Sequence, residues 1–246
     1  MRYLFLVIWV LGSVAFAEHV DPSRQTQPSS QNSRPVAESN KQVPKPMTME
    51  EALSKGNSNL LVDPKTHELL SPTGTPFKIS LLTEEAAQKL FKEMAEQKHI
   101  PFCYPEDGCY ARAHEMTRLM EKHGVIAGKV FLEGDLKVDT ENSPKGYVEW
   151  WYHVAPLVAI KKEKTIEMWV IDPSLMKKAA PVDEWVKLQT SHPAGKKEDL
   201  YHTQRFVYTP SRKNQQLSEY KKEDIEDTQS TLESYLNIQK ERMIKK

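Results

Sequence analysis

A cysteine, a histidine and an aspartate, far apart along the chain, carry its strongest chemical signal. Cys109 follows Asp107-Gly108, and Asp107 is a suitable N-cap for a helix running to about Gly124, so the cysteine falls in the first turn. There the positive end of the helix dipole and the unpaired backbone N–H groups favour a thiolate over a thiol. The Asp107-Gly108 pair allows a tight turn that presents the sulfur at the surface of the core, and the N–H of Cys109 is available to a developing oxyanion. One short segment can therefore supply both a nucleophile and a charge stabiliser. A lone cysteine in this position is more often a small buried hydrophobe; the histidine and the aspartate shift that balance.

Lys161 to Lys164 are polar between two apolar runs and are expected to form a four-residue hairpin loop. Ile160 then faces Thr165, and counting back places His153 directly opposite Asp172, where Cβ atoms stand about 4.5 to 5.5 Å apart. A carboxylate so placed holds one imidazole nitrogen and leaves the other aimed at Cys109, the nucleophile, base and orienter arrangement of a catalytic triad. A bulge at Pro156 would shift the count by one.

The rivals are weaker. His114 shares the cysteine's helix, but five positions on rotate it about 140° from the thiol, so it is expected to be structural. His19, His67, His99, His123, His192 and His202 lie in polar or boundary segments where a solvated role is preferred. Trp150 and Trp151 are either core or a wall that keeps water from the site, and strand alternation favours Trp151 for the wall. A Cys103–Cys109 disulfide would silence the nucleophile, but the intervening Pro105 and turn must meet a narrow geometry. No metal-ligand spacing and no glycine-rich phosphate loop is present, and no cofactor is expected.

These residues need elements to hold them. Thr83 is a good N-cap for a helix to about Lys98 with Ala86, Ala87, Leu90, Phe91 and Met94 on one face. The cysteine helix buries Ala113, Met116, Leu119 and Met120. The period then changes: Lys129–Leu132, Tyr147–Ile160, Thr165–Ile171 and Arg205–Thr209 are rich in β-branched and aromatic residues and read as strands. A short helix is expected around Trp185. A charged helix follows from about Ser218 to Met243, with Ile225, Leu232, Leu236 and Gln239 on one face, expected to pack across the sheet.

Met1–Ala17 has the pattern of an export signal: Arg2, an apolar stretch from Leu4 to Val10, and Ala15-Phe16-Ala17 before Glu18. Residues 18–80 are expected to be a disordered leader or a pro-segment, with a short helical signal after Thr48, and residues 81–246 one catalytic domain. The chain is thus expected to be secreted or periplasmic and monomeric. The 34 basic and 34 acidic side chains cancel, which argues against nucleic acid or a membrane surface as a partner. Two cysteines do not make a disulfide scaffold, so stability must come from an ordinary core.

Three blocks resemble the bacterial protein-glutaminase family: Tyr104-Pro105-Glu106-Asp107-Gly108-Cys109-Tyr110-Ala111-Arg112-Ala113-His114, Trp151-Tyr152-His153-Val154-Ala155, and Ile171-Asp172-Pro173-Ser174-Leu175. They occur in the family's order and at similar spacing. The resemblance spans roughly Leu81 to Thr209. It implies an α+β fold with a papain- and transglutaminase-like core, in which the nucleophile helix packs against an antiparallel sheet. It also implies a Cys109, His153 and Asp172 triad, and hydrolysis of glutamine side chains in peptides and proteins to glutamate and ammonia. The triad alone does not separate a deamidase from a papain-like protease or a transglutaminase, and an exported binding domain with an inactive centre is the non-enzymatic alternative.

Overall fold

The structure, a computed structural model, describes residues 45–48, 50–51, 61–211 and 217–244. The expected export signal, and the expected leader as far as residue 44, lie outside the described residues. Thr48 and Glu51 form a reciprocal capping box: the Thr48 N–H donates to Glu51 (2.8 Å) and the Glu51 N–H to the Thr48 hydroxyl (3.1 Å). This is the start of the helical signal seen there; Ala52 and Leu53 fall outside the description.

The fold is α+β. Seven strands, β1 (Leu61–Leu70), β2 (Pro76–Leu82), β3 (Gly128–Asp139), β4 (Tyr147–Lys161), β5 (Ile166–Val170), β6 (Ala180–Pro181) and β7 (Lys196–Gln204), form one sheet among the described residues. Helices α1 (Glu84–Ala95), α2 (Cys109–Lys122), α3 (Val182–Thr190) and α4 (Lys222–Ile244) accompany it. The main path runs β1-β2-β4-β3-β7, with β5 paired to the far end of β4 and to β6. The sheet is mixed rather than wholly antiparallel, because β2 runs parallel to β4, with Leu81 opposite Ala159 and Leu82 opposite Ile160. The expected domain start at residue 81 falls inside β2, whose Phe77 and Ile79 are core residues, so the sheet begins earlier than the polar, turn-rich sequence before it suggests.

Alternation along β4 divides the core. Val154, Val158 and Ile160 face one layer with α1 and α2, while Ala155, Leu157 and Ala159 face the other, filled by Trp185 of α3. In α1 the Thr83 hydroxyl accepts the Ala86 N–H (3.1 Å), and Ala86, Ala87, Leu90, Phe91 and Met94 are all buried, as its periodicity predicts. Helix α3 forms around Trp185 as expected.

Three expectations are corrected. The final strand is β7, while Arg205–Thr209 forms a turn and coil in which Phe206 and Val207 are buried without joining the ladder. Helix α4 packs against α2 and the loop before it rather than across the sheet. The turn after β4 is Lys162–Thr165, closed by the Lys161↔Ile166 pair, so the β4–β5 register lies two residues from the expected one. A shift of two preserves which face each side chain occupies, but the ladder ends at Leu157↔Val170, so Asp172 does not stand opposite His153 in register as expected.

Candidate active site

Helix α2 begins at Cys109, but its cap is Gly108, in the left-handed region at φ 77°, rather than Asp107. The Asp107 carboxylate instead accepts the N–H of Gly108 at 2.6 Å. Cys109 is 1% exposed and Cys103 is exposed, and neither is in a disulfide. The disulfide weighed for the pair is not formed.

His153 lies in β4 and is hydrogen-bonded in register to neither of the other two residues; its ladder partner is Leu132 of β3. Asp172 lies just past the end of β5, in a turn where the Leu175 and Met176 N–H groups donate to its carbonyl (3.2 and 2.9 Å). That turn carries the carboxylate back to the imidazole, and His153 Nε2 meets Asp172 Oδ2 at 2.8 Å with both groups buried. The same oxygen accepts the Trp185 indole N–H at 2.8 Å. Oδ1 accepts the Ser174 N–H at 3.2 Å and also the Ser174 hydroxyl. Four donors on one buried carboxylate keep it ionised and leave it little freedom to rotate.

Electrostatics follow from these contacts. Burial alone would raise the Asp172 pKa, but the His153, Ser174 and Trp185 donors hold it down at about 2. Burial alone would lower the His153 pKa, but the Asp172 carboxylate, then a hydrogen bond with Cys109 and its charge, lift it to about 9. The two directions agree on an imidazolium–carboxylate pair. With Nε2 taken by Asp172, Nδ1 is the ring nitrogen left to meet the sulfur, and it has no nitrogen or oxygen partner. Tyr152 also lies against Cys109: burial first, then the charge on Cys109, raises its hydroxyl well above the usual value.

Two indoles stack on the imidazole: Trp150, with centroids 4.9 Å apart at 18°, and Trp185, at 5.4 Å and 30°. Alternation had favoured Trp151 for this wall, yet Trp151 is 38% exposed. The cause is a β-bulge. The β3–β4 register passes from Glu133↔Tyr152 to Leu136↔Trp150, leaving Trp151 unpaired and inverting the alternation beyond it. Trp150 is fixed by its N–H, which donates to the Pro105 and Glu106 carbonyls (3.1 and 3.2 Å). That ties the histidine's wall to the loop that precedes Cys109.

His114 is structural, as expected: it is buried, its Nδ1 is 3.1 Å from Lys129 Nζ, and its ring packs edge-on to Tyr208 and Tyr220. Burial and then the Lys129 charge hold it neutral. His202, expected in solvent, is half-buried in β7 with its pKa lowered by burial. Lys129, Ser174 and Trp185 were missed. Lys129 is fully buried, donates to the Val207 carbonyl at 2.6 Å, and is brought down by burial to about 7. Ser174 had a signal, since a serine two residues after an aspartate is suited to capping its turn; nothing in the sequence marked Lys129.

The fold and site define an α+β protein with a cysteine at a helix start facing a buried histidine on a sheet strand, which is bonded to an aspartate in the turn after another strand. A glutaminase family model matches residues 87–189. A crystal structure of protein-glutaminase is 30% identical with a TM-score of 0.52, covering 61% of this chain and 88% of that one. The NMR structure of protein-glutaminase from Chryseobacterium proteolyticum is 30% identical with a TM-score of 0.53, covering 62% and 86%. A crystal structure of the A47Q2 mutant of pro-protein-glutaminase is 28% identical with a TM-score of 0.53 over 62% of this chain, and the chain spans only 57% of that pro-form. No curated protein matches the chain. The chain belongs to the protein-glutaminase family.

Proposed function

We propose that this protein hydrolyses the side-chain amide of glutamine in peptides and proteins, giving glutamate and ammonia, with Cys109 as nucleophile, His153 as acid and base, and Asp172 as orienter. The observation that carries the reading is the buried imidazole, bonded through Nε2 to Asp172 and acted on by Cys109 from the remaining side. Family membership supports glutamine over other amides.

The sulfur of Cys109, as thiolate beside the imidazolium, adds to the amide carbon of the glutamine side chain. The oxygen takes the negative charge, and the N–H of Cys109, at the start of α2, is available to receive it. His153 gives its proton to the amide nitrogen, the C–N bond breaks, and ammonia leaves a γ-glutamyl thioester on Cys109. A water then loses a proton to His153 and attacks the thioester; the C–S bond breaks, yielding glutamate and restoring the thiolate–imidazolium pair. Asp172 supports both halves by stabilising the cationic ring and keeping its Nδ1 toward the sulfur. None of these steps calls on a cofactor. The export-signal pattern of Met1–Ala17 supports action outside the cytoplasm.

Casein is incubated with the protein while ammonia, new amino termini and incorporated amine are measured together. Ammonia without cleavage or cross-linking is the expected result, and Cys109→Ala abolishes it. New amino termini would indicate a protease and amine incorporation a transglutaminase. Full activity in Cys109→Ala would end the assignment.

A further inference from the structure

The loop Cys103–Gly108, which delivers the chain to Cys109, has no helix or strand of its own and is gripped from the other end of the sequence. Gln239 of α4 accepts the Cys103 N–H at 2.9 Å. Arg242 donates to Glu106 at 2.6 Å, with its guanidinium 4.7 Å from the Tyr104 ring centroid. The Tyr235 ring stacks on Tyr104 at 4.6 Å, and its hydroxyl donates to Asp107 Oδ2 at 2.5 Å. The other oxygen of that carboxylate holds the Gly108 N–H. From inside, buried Arg112 donates to the Tyr104 and Asp107 carbonyls at 2.9 and 2.6 Å.

Each grip acts on a turn that is itself unusual. Gly108 sits at φ 77°, and a Cβ there would lie 2.8 Å from the Tyr235 ring, so ring and glycine are fitted to each other. The conformation of Gly108 sets where the sulfur and the N–H of the next residue point. A misplacement of about 1 Å at a reacting group can cost on the order of a hundredfold in rate. Packing alone would need only the ring of Tyr235. Its hydroxyl does something further, supplying a charge-assisted bond to a buried carboxylate that also holds the turn. Helix α4 lies wholly outside the family-matched residues 87–189.

We propose that Tyr235 is a positioning residue for Cys109, acting through Asp107 to fix the left-handed turn at Gly108. This rests on the reading of Cys109 as the nucleophile. Burial raises the Asp107 pKa, opposed by hydrogen bonds from Tyr235 and Gly108 and by the Arg112 charge, with Asp227 acting in the same sense as burial. Removing the hydroxyl therefore raises it further as well as loosening the turn.

The test uses full-length Tyr235→Phe, with Glu233→Gln on the exposed side of α4 as a control. Two quantities are followed: the rate of Cys109 alkylation by iodoacetamide across pH, quantified on the Cys109 peptide, and kcat and KM for ammonia release. Tyr235→Phe is expected to slow alkylation and lower kcat by roughly 5- to 20-fold, with KM held within about twofold. The ratio of its alkylation rate to that of the wild type should fall further toward acid pH, whereas the same ratio for the control stays level. An unchanged alkylation rate and profile, even with a lower melting temperature, overturns the proposal. Asp107→Asn and the double variant complete a cycle: a double variant within about twofold of either single supports one shared path, and full additivity refutes it. Because alkylation needs no glutamine substrate, the positioning role and the deamidase reading stand or fall separately.

Discussion

Replacing Asp172 by Asn keeps the shape of the side chain but removes the charge that holds His153. In the wild type the imidazole pKa is lifted from 6.5 to about 9 although burial opposes it. A base raised on folding stabilises the folded state fully below its unfolded pKa and loses that stabilisation as pH rises through the folded value. The separation between 6.5 and about 9, at about 1.4 kcal/mol per pH unit, is about 3 kcal/mol. In Asp172→Asn burial prevails, the ring is neutral over this range, and the contribution is gone. Lys129 works in the opposite sense, because its folded pKa of about 7 lies below its unfolded 10.5 and folding becomes easier as pH rises between them. It is common to both proteins, so the difference between them isolates the histidine. Urea unfolding of both at pH 6.5, 7.5, 8.5 and 9 should show the wild-type advantage shrinking by about 3 kcal/mol across the series. Ammonia release by the variant at pH 7 should fall by roughly 10²- to 10⁴-fold. An advantage that stays constant from pH 6.5 to 9 would refute the ion pair.

Trp185→Phe keeps an aromatic ring beside His153 but deletes a donor to Asp172; we expect about 1 to 2 kcal/mol lost in urea unfolding at pH 7 and a fall in kcat for ammonia release. Gly108→Ala must hold a left-handed backbone and clear the Tyr235 ring, so calorimetry should show at least about 1 to 3 kcal/mol of destabilisation and the ammonia assay little activity. Lys129→Met removes a buried amine whose charging opposes folding. Its unfolding free energy should gain on the wild type as pH is lowered from 10 to 7, which urea titrations at those two values will measure.

The candidate site was legible because its chemistry is local at each point. A cysteine after Asp-Gly at a helix start, and a histidine and an aspartate either side of a hairpin, can be read without knowing the sheet. The contact survived a register error of two because strand faces repeat every two residues and the turn after β5 returns the Asp172 carboxylate to His153. Trp151 was preferred over Trp150 for the wall because a bulge is a property of two paired strands, and nothing in the run Glu149-Trp150-Trp151-Tyr152 announces it. Strand β7 was missed because Lys196-Lys197-Glu198-Asp199 begin a strand that, among the described residues, pairs only with β3 at the sheet edge, where charge is tolerated and even protective. The partner of α4 was unreadable for another reason: its buried residues Ile225, Thr228 and Leu232 describe a narrow stripe that would suit a sheet or a helix equally well. Its polar contacts with the Cys109 loop cross more than a hundred residues of sequence.

The two indoles stacked on His153 also give the site an optical signal. An imidazolium quenches the emission of a neighbouring excited indole more strongly than a neutral imidazole does. Trp150 and Trp185 are two of only five tryptophans in the chain, so a useful share of its ultraviolet fluorescence should brighten when His153 loses its proton. A spectrometer can thus follow one proton on one ring, in the native protein and without a label.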